Sequence, residues 1–141
     1  MERNSILRNK VLIVGCGRFG SSIANKYAEE GKNLVVVDAN PGRFDKLSDS
    51  YVGYKVVGDG TNINVLKKAQ IETAKKIIIT SGSDNANVLI AHMARKIFDV
   101  PEIYVRLEDP DSEVLVKELK VNTIYPFELS FEEFKRIGGD K

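Results

Sequence analysis

The feature that most constrains the fold is a glycine-rich turn that directly follows a short apolar run. Residues 10–20 read KVLIVGCGRFG, so the run leads into the spacing G-x-G-x-x-G. In such a turn Gly15 bends the chain out of a strand, Gly17 lets a pyrophosphate approach the backbone, and Gly20 lets a helix pack closely on the strand. The free N–H groups and the dipole at the start of that helix favour an anion. The segment therefore predicts a phosphate-binding loop.

An acidic residue at the end of the next apolar run strengthens this prediction. The run LVVVD at 34–38 ends in Asp38, eighteen residues after Gly20. A carboxylate at the tip of the second strand accepts hydrogen bonds from the hydroxyls of an adenosine ribose and repels a 2′-phosphate. Strand, loop, helix, second strand and acid together are far more specific than the glycine pattern alone. They predict binding of an adenine nucleotide or NAD(H) and disfavour NADP.

Composition restricts the class of protein further. The chain of 141 residues holds 21 lysines and arginines against 20 acids, which gives no basic field for nucleic acid or an anionic membrane. A single cysteine, Cys16, excludes an internal disulfide framework and suits a reducing compartment. No apolar run approaches the roughly 18 residues that a membrane helix needs. We therefore expect one cytoplasmic domain over residues 10–137, with tails at 1–9 and 138–141, that binds no nucleic acid and does not insert into a membrane.

Apolar, strand-like runs alternate with helical segments along the chain. Strands separated by helical patterns imply βαβ units and a parallel sheet. With right-handed crossovers, we predict an α/β fold: a Rossmann-like doubly wound parallel sheet with strand order 3-2-1-4-5-6 and a ligand at the switch point between strands 1 and 4. The predicted strands are 10–14, 34–38, 53–57, 75–80, 102–106 and 123–125. The helices predicted between them are 21–30, 41–47, 63–69, 83–98 and 109–120.

An extra short C-terminal helix follows the completed sheet. The capping box SFEE at 130–133 predicts its start. Four large apolar residues recur at helical spacing and form one strip on this helix, namely Phe127, Phe131, Phe134 and Ile137. Two alternatives are open for the strip. It docks on its own domain, or it packs on a second subunit, because an apolar strip exposed on a monomer is a liability.

Side chains in and beside the glycine loop are candidates for binding. Arg18 lies at the predicted helix start, where a guanidinium can pair with phosphate, and its alternative role is that of a solvated surface arginine. Cys16 has no nearby partner to make it a nucleophile, and we expect it to be a small buried residue. The predicted nucleotide-binding residues are Gly15, Cys16, Gly17, Arg18, Phe19, Gly20, Asp38, Asn40, Asp59, Gly60, Thr61, Ser81 and Gly82.

Two polar segments follow strands 3 and 4 at the edge where a ligand is expected. In GDGT at 58–61, Asp59 either accepts from the adenine amino group or caps the helix that follows. The segment TSGSDN at 80–85 lies across the switch point from the glycine loop, where it faces the distal half of a ligand, and Ser83 is placed to cap a helix. Arg43 is expected at an exposed helix position.

Taken together, these segments resemble the nucleotide-binding N-terminal domain of the Trk and Ktr potassium-uptake regulators, known as TrkA-N, KTN or RCK. The resemblance runs from residue 10 to about residue 134. It rests on six separated segments in order, which are GCGRFG at 15–20, Asp38, GDGT at 58–61, TSGSDN at 80–85, YVR at 104–106 and IYP at 124–126.

The resemblance implies a cytosolic regulatory subunit that has no chemistry of its own. In that family such domains pair and assemble into rings beneath a potassium-conducting membrane protein, and AMP, ADP, ATP or NAD(H) biases the shape of the ring. The resemblance assigns the phosphate-contacting arginine to Arg18, the ribose acid to Asp38 and the adenine-side acid to Asp59. The expected assembly is a dimer or a larger ring, held at the inner face of the cell membrane by the channel or transporter subunit.

The sequence departs from the family pattern at three loop positions. Gly60 stands where many relatives have alanine, and Gln70 and Lys120 stand where glycine is usual. The chain also ends where many relatives continue into a smaller C-terminal domain of the TrkA-C type. We therefore expect that domain to be absent here or supplied elsewhere.

Two other functions compete with this interpretation. An NAD-dependent oxidoreductase needs a substrate domain and an acid–base group beside the nicotinamide, and the one histidine, His92, lies within a predicted helix. A redox-sensing NAD(H)-binding domain with a partner other than a channel shares every motif above. The sequence favours the nucleotide-sensing regulator over the enzyme, and it does not separate the regulator from the redox sensor.

Overall fold

The strands form one parallel sheet, as the alternating pattern predicts. We describe residues 7–139 of a computed structural model. The strand order is β3-β2-β1-β4-β5-β6, and every neighbouring pair is parallel, so the predicted order 3-2-1-4-5-6 is confirmed. The strands are β1 (Lys10–Val14), β2 (Leu34–Asp38), β3 (Tyr54–Val57), β4 (Ala74–Ile79), β5 (Glu102–Arg106) and β6 (Asn122–Ile124).

The connections include four α-helices, and three predicted helices differ in kind. The helix predicted at 83–98 is α-helical only to His92 and continues as a π-helix over Met93–Ile97. The α-helices are α1 (Arg18–Glu29), α2 (Ile63–Lys68), α3 (Asp84–His92) and α4 (Pro126–Gly138). Residues Pro41–Lys46 form a 3-10 helix, and the segment predicted as a helix at 109–120 is a pair of 3-10 helices, Pro110–Leu115 and Lys117–Leu119. Neither Pro41–Lys46 nor Pro110–Leu115 contains a buried residue. A longer α-helix at either place would therefore gain no stability from packing an apolar face.

The core lies on both faces of the sheet, which is why its central strands read as continuous apolar runs. Leu12, Val35 and Ile77 belong to the larger cluster, which also holds residues of α2 and α3. Val11 and Val36 belong to a smaller cluster on the face that α1 covers. Burial on both faces holds β1 and β2 firmly in the sheet and so positions the loops at their carboxyl ends.

The smaller cluster leaves part of its sheet face uncovered. Beside α1, a groove of about 400 Å³ is lined by rings and aliphatic side chains of α1, β4 and β5, among them Ile23, Tyr27, Ile78 and Tyr104. Phe19 and Ile124 line this groove and also a second cavity of about 310 Å³ that reaches Pro126 and Leu129 at the start of α4. We call the two cavities together the α1-side groove.

Helix α4 begins earlier than the sequence predicts and buries none of its residues against the described part of the domain. Its first residue is Pro126, whose ring fixes the backbone angle that a helix start needs, so Ser130 lies inside the helix and the predicted capping box at 130–133 is wrong. The rings of Phe127 and Phe131 stack with their centroids 6.2 Å apart, which places them on one face as predicted.

No residue of α4 is buried, and the four strip residues are 49–70% exposed. The alternative in which the strip docks on its own domain is therefore not the arrangement of the structure. Helix α4 follows the edge strand β6 and reaches the α1-side groove through Pro126, Leu129 and Ser130. The four strip residues are not among the residues that line this groove.

Two residues of the expected N-terminal tail are attached to the domain. The Arg8 guanidinium donates to the carbonyl oxygens of Ala74 and Phe98 at 3.0 and 2.9 Å, and the Asn9 N–H donates to the Thr73 carbonyl at 3.0 Å. Residues 1–6, also part of that predicted tail, lie outside the described residues. Within residues 7–139, no helix has both the length and the apolar character needed to span a bilayer.

The close packing of the glycine loop can be tested by adding a methyl group to its glycines. A Cβ atom at Gly20 would lie 1.9 Å from the Gly15 carbonyl oxygen, whereas one at Gly82 would meet nothing within 4 Å. We expect Gly20→Ala to lower the free energy of unfolding by about 2 kcal/mol or more, because the backbone clash exceeds the gain in helix propensity of about 1 kcal/mol. Urea unfolding measures the difference. Gly82→Ala is the control, with an expected change of at most about 0.5 kcal/mol. Equal stability of the two variants would show that the loop does not pack this tightly.

Candidate functional site

The carboxyl ends of the central strands surround one cleft. It has a volume of about 360 Å³ and lies where the connections from β1 and β4 leave for opposite faces of the sheet. Such a switch point is where ligands bind in open α/β sheets. Most of the residues predicted from the sequence line this cleft, namely Gly15, Gly17, Asp38, Asn40, Asp59, Gly60, Thr61, Ser81 and Gly82.

The other predicted residues lie beside the cleft and do not line it. Cys16 is fully buried beneath the loop, as expected, and burial together with the nearby Asp38 carboxylate raises the pKa of its thiol. Gly20 is buried where α1 crosses the loop. Arg18 is exposed at the first position of α1, and Phe19 faces the α1-side groove.

Asp38 holds the two loops of the cleft together. Its Oδ2 accepts from the Cys16 N–H and its Oδ1 from the Asn40 N–H, both at 2.8 Å. The residue is 9% exposed, so these are buried, charge-assisted bonds of the stronger kind. A carboxylate oxygen has more than one lone pair, and the acid keeps acceptor capacity toward the cleft that it lines.

Close backbone contact brings the glycine loop to the end of β4. Gly15 has a φ of 105°, and a Cβ atom there would lie 2.5 Å from the Thr80 carbonyl oxygen. Beside this contact, the Thr80 hydroxyl is buried and makes no hydrogen bond in the described structure. At Gly17, by contrast, the nearest atom to an added Cβ is Arg43 Nη1 at 3.9 Å, so the backbone there is open to a ligand.

Asp59 organises the loop after β3 and does not cap α2. Its Oδ1 accepts from the Thr61 N–H at 2.9 Å and from the Thr61 hydroxyl at 2.8 Å, and these bonds lower the pKa of the carboxyl. The N-cap of α2 is Asn62, whose side chain accepts from the Asn64 N–H at 2.8 Å. The capping alternative for Asp59 is therefore wrong, since the loop is long enough for Asn62 to take that position. Asp59 stays exposed at the cleft.

A buried amide ties the end of β4 to β5. Asn87 is 1% exposed; its Oδ1 accepts from the Ser81 N–H at 3.1 Å, and its Nδ2 donates to the Ser81 and Arg106 carbonyls at 3.2 and 2.8 Å. Ser83 caps α3 by accepting from the Ala86 N–H, as predicted. The wall of the cleft opposite the glycine loop is thus set by α3.

Two arginines that the sequence interpretation did not assign to the site line the cleft. Arg43 lies near Asp38, with its Nε 3.9 Å from the Asp38 Oδ1, at the end of the cleft beside β2. Arg106 ends β5, on the far side of β4 from the glycine loop. A basic residue at the carboxyl end of a predicted strand next to the switch point was the signal available for Arg106. For Arg43, the exposed position suggested a solvated role.

The cleft suits a nucleotide with a free ribose. It combines an open loop backbone at Gly17, the start of α1, the Asp38 carboxylate and a buried Thr80 hydroxyl that has no hydrogen-bond partner among residues 7–139. His92 is not among the residues that line it, and its Nε2 lies 2.7 Å from the Leu115 carbonyl oxygen. The fold and the cleft therefore define the class of Rossmann-type nucleotide-binding domains.

Comparison with known families identifies the chain within this class. Residues 11–126 match the TrkA-N domain, and the chain belongs to this family. The family resemblance drawn from the sequence is thus confirmed.

Curated relatives carry potassium-transport names. The chain is 33% identical over 114 residues to the Trk system potassium uptake protein TrkA of Streptomyces coelicolor, covering 81% of this chain and 51% of that protein. It is 31% identical to Potassium channel protein 1 of Methanocaldococcus jannaschii, covering 97% of this chain and 42% of that protein. The chain thus spans about half the length of the curated relatives it matches.

Solved structures share the fold. The TrkA-N domain of the inner membrane protein ybaL from Escherichia coli has a TM-score of 0.82 and 24% identity, covering 93% of this chain and 97% of that one. The Kef CTD of Shewanella denitrificans in AMP-bound form has a TM-score of 0.71 at 22% identity, covering 92% and 82%. The GsuK channel bound to NAD has a TM-score of 0.69 at 22% identity, covering 84% and 21%.

The two hydrogen bonds that the Asp38 carboxylate accepts predict that replacing it with an amide destabilises the fold. Asn at this position keeps one acceptor oxygen and turns an NH2 group toward the second backbone N–H. We expect Asp38→Asn to lower the free energy of unfolding by about 1–3 kcal/mol without any ligand. Urea unfolding measures the effect, and Asp59→Asn, at an exposed acid, is the control with a smaller loss. Equal losses in both variants would contradict the clamp role of Asp38.

Proposed function

We propose that this chain is a nucleotide-sensing, non-catalytic regulatory domain of a potassium transport system. The observation that carries the proposal is the meeting of the open glycine loop and the Asp38 carboxylate in one cleft. In this proposal an adenine nucleotide or NAD(H) binds there, with its ribose hydroxyls at Asp38 and its phosphates at the loop and the start of α1.

The names of relatives and structural neighbours support the choice of partner and ligand. The relatives that carry potassium names include a TrkA protein and a channel protein, and neighbouring structures were solved with AMP, NAD and ADP. We propose that the chain belongs to an assembly with a membrane channel or transporter and acts from the cytoplasmic side. Differential affinity of nucleotides for two arrangements of that assembly would supply the regulation.

The composition of the cleft favours a sensor over a dehydrogenase. A hydride-transfer enzyme needs an acid–base group beside the nicotinamide. The titratable groups among the described residues that line the cleft are Asp38, Asp59 and two arginines. Asp38 ends β2 and Asp59 follows β3, so both acids lie at the end of the cleft away from β5. A redox-sensing domain with a different partner shares this site, and identification of the membrane partner separates it from the first proposal.

Ligand preference tests the proposed site. We expect NAD to bind at least about tenfold more tightly than NADP, because like charges brought together at a binding site cost several kcal/mol. Isothermal titration calorimetry with NAD, NADP, AMP, ADP and ATP measures the order. Preferred binding of NADP would overturn the role of Asp38. Absence of binding by every one of these ligands would overturn the proposed function.

We further propose that the chain assembles through α4. The strip on α4 and the α1-side groove are both apolar and exposed, and the strip does not cover the groove of its own chain. The groove carries positive charge: Lys26 lines it, and the Lys76 ammonium lies over the rings of Tyr27 and Tyr104. In a second copy, α4 carries acidic residues beside its apolar strip, such as Glu128 in the first turn, and these complement that charge. Burial of each large side chain is worth about 1.5–3 kcal/mol, so a second copy of α4 is the occupant we propose.

Charge introduced into the strip tests this assembly. We expect the native chain to be at least a dimer and the double variant Phe131→Glu, Phe134→Glu to be a monomer, since burying a carboxylate in an apolar interface is costly. Multi-angle light scattering at micromolar concentration measures the mass. Arg136→Glu places the same residue on the polar side of α4, and this control should keep the native mass. A monomeric native chain, or a double variant with native mass, would contradict assembly through the strip.

A further inference from the structure

The fold separates charges that the composition balances. The formal net charge of the chain is +1, and for this reason the composition alone predicts no basic field. In a parallel sheet, however, every strand begins at one edge and ends at the opposite edge. We call the edge where the strands begin the amino edge, and the edge that carries the nucleotide cleft the carboxyl edge.

The carboxyl edge has an excess of acids. They lie at the ends of β2, β3 and β4 and after β5, and they are Asp38, Asp59, Asp84, Glu108, Asp109 and Asp111. The cations at this edge are Arg18, Arg43 and Arg106. Because the whole chain carries a net charge of +1, a compensating excess of positive charge lies elsewhere in the domain.

The amino edge carries this positive charge. Lysines for which no ion pair is recorded among residues 7–139 lie at the first residues of strands or in the connections just before them, namely Lys10, Lys67, Lys68, Lys75, Lys117 and Lys120. Most other lysines at this edge pair with Glu30, Glu102 or Glu118. The acids there without a recorded ion pair are Glu29, Glu72 and Asp99, so the unpaired lysines outnumber them.

Three cations meet at the start of the two central strands. Lys10 of β1 is the register partner of Ala74, the residue directly before Lys75 of β4. The Arg8 guanidinium lies at the same place, where it donates to the Ala74 carbonyl at 3.0 Å and to the Phe98 carbonyl at 2.9 Å. These partners are neutral, so they do not compensate its charge. Like charges placed this close repel one another and oppose folding.

Helix dipoles account for only part of the positive charge. Lys67 and Lys68 lie in the last turn of α2, where a cation is favoured. Lys10 and Lys75 lie at the starts of strands, which have little net dipole. Lys120 has a φ of 56°, in the left-handed region where glycine avoids strain. The stability of the free domain therefore does not explain these last three lysines.

We infer that the amino edge is a docking surface for an anionic lipid bilayer. Six strands about 4.8 Å apart give an edge about 25 Å long, which suits a flat partner. Each lysine close to an anionic membrane surface contributes about fivefold to the affinity for it. No insertion is involved, since the attraction acts between exposed ammonium groups and lipid phosphates.

The position of the cleft favours a bilayer over a second copy of the chain. The acidic carboxyl edge of another copy also complements the lysines in charge, but it would cover its own nucleotide cleft there. Such a head-to-tail contact also forms no closed dimer. With a bilayer at the amino edge, the cleft at the opposite edge stays open to nucleotide. The choice of a bilayer rests on the proposed function, which places the chain beside a membrane protein.

Vesicle binding by the full chain, without nucleotide or channel, tests the inference. The two probes are vesicles of phosphatidylcholine alone and vesicles that also contain about 30% phosphatidylglycerol. We expect at least about tenfold tighter binding to the anionic vesicles at about 0.05 M salt, and loss of this preference at about 0.5 M salt, because salt screens exposed charges. Cosedimentation measures the bound fraction.

Two double variants with the same change in net charge separate the amino edge from general charge. Lys10→Gln with Lys75→Gln should weaken binding to anionic vesicles about ten- to thirtyfold. The control is Lys46→Gln with Arg136→Gln. Lys46 is exposed, and its carbonyl accepts from Asn25 in the middle of α1, whereas Arg136 lies on α4. We expect this control to bind within about threefold of the native chain.

Lys120→Gly gives a readout that a structural role would not give. We expect it to raise the urea concentration at the midpoint of unfolding, because glycine adopts the left-handed conformation without strain. At the same time it should weaken binding to anionic vesicles about fivefold. Higher stability with weaker vesicle binding supports the docking role, and unchanged vesicle binding in both this variant and the Lys10, Lys75 double variant would contradict it.

The remaining outcomes are equally decisive. Equal binding to neutral and anionic vesicles, or equal loss in the two double variants, would overturn the docking surface. Tighter binding of a DNA duplex than of anionic vesicles at the same salt would assign the edge to nucleic acid and overturn the choice of a bilayer. Failure of vesicle binding leaves the nucleotide titrations unaffected, so it is distinguishable from failure of the proposed function.

Discussion

The site depends on the approach of three backbone segments that side chains would keep apart. A Cβ atom at Gly15 would meet the Thr80 carbonyl oxygen at 2.5 Å, and one at Gly20 would meet the Gly15 carbonyl oxygen at 1.9 Å. These contacts bring the start of α1, the end of β1 and the end of β4 to one point. The N–H groups at the helix start then face a cleft in place of a packed interior. The tight packing and the open helix start that the proposed anion site needs are therefore consequences of the same glycines.

Asp38 joins the structure to the proposed ligand site at this point. Its carboxylate is held by the N–H groups of Cys16 and Asn40, so in the proposed function a ligand meets an acid whose position is already fixed. A preorganised group loses little conformational entropy on binding, which favours affinity and selectivity. The arrangement also explains why the residue after Gly15 is buried: Cys16 contributes its backbone N–H to the acid and its thiol to the core.

The sequence predicts the sheet, its order and most of the cleft, because apolar periodicity and glycine spacing are local signals. It does not predict that α2 is capped by Asn62, which the local pattern did not single out, because the length of the loop after β3 decides which residue lies at the helix start. The loop positions where the family commonly has glycine have a physical reason: Gln70 and Lys120 have φ values of 68° and 56°, in the left-handed region. Long-range positions such as Arg106 depend on which strands become neighbours, so no local pattern assigns them to the site.

Gly60 illustrates how one departure follows from packing. A Cβ atom there would lie 2.6 Å from Val14 Cγ1 and 3.2 Å from Ile90 Cδ1, so glycine relieves a contact between the end of β1 and α3. Val14 of β1 and Ile90 of α3 also line the cleft. On the other face of the sheet, Ile78 of β4 and Tyr104 of β5 line the α1-side groove. Packed interiors respond to strain by discrete shifts of whole elements, because they are close to crystalline density. One face of the sheet is thus fully packed, and the uncovered part of the other face lies between α1 and the start of α4.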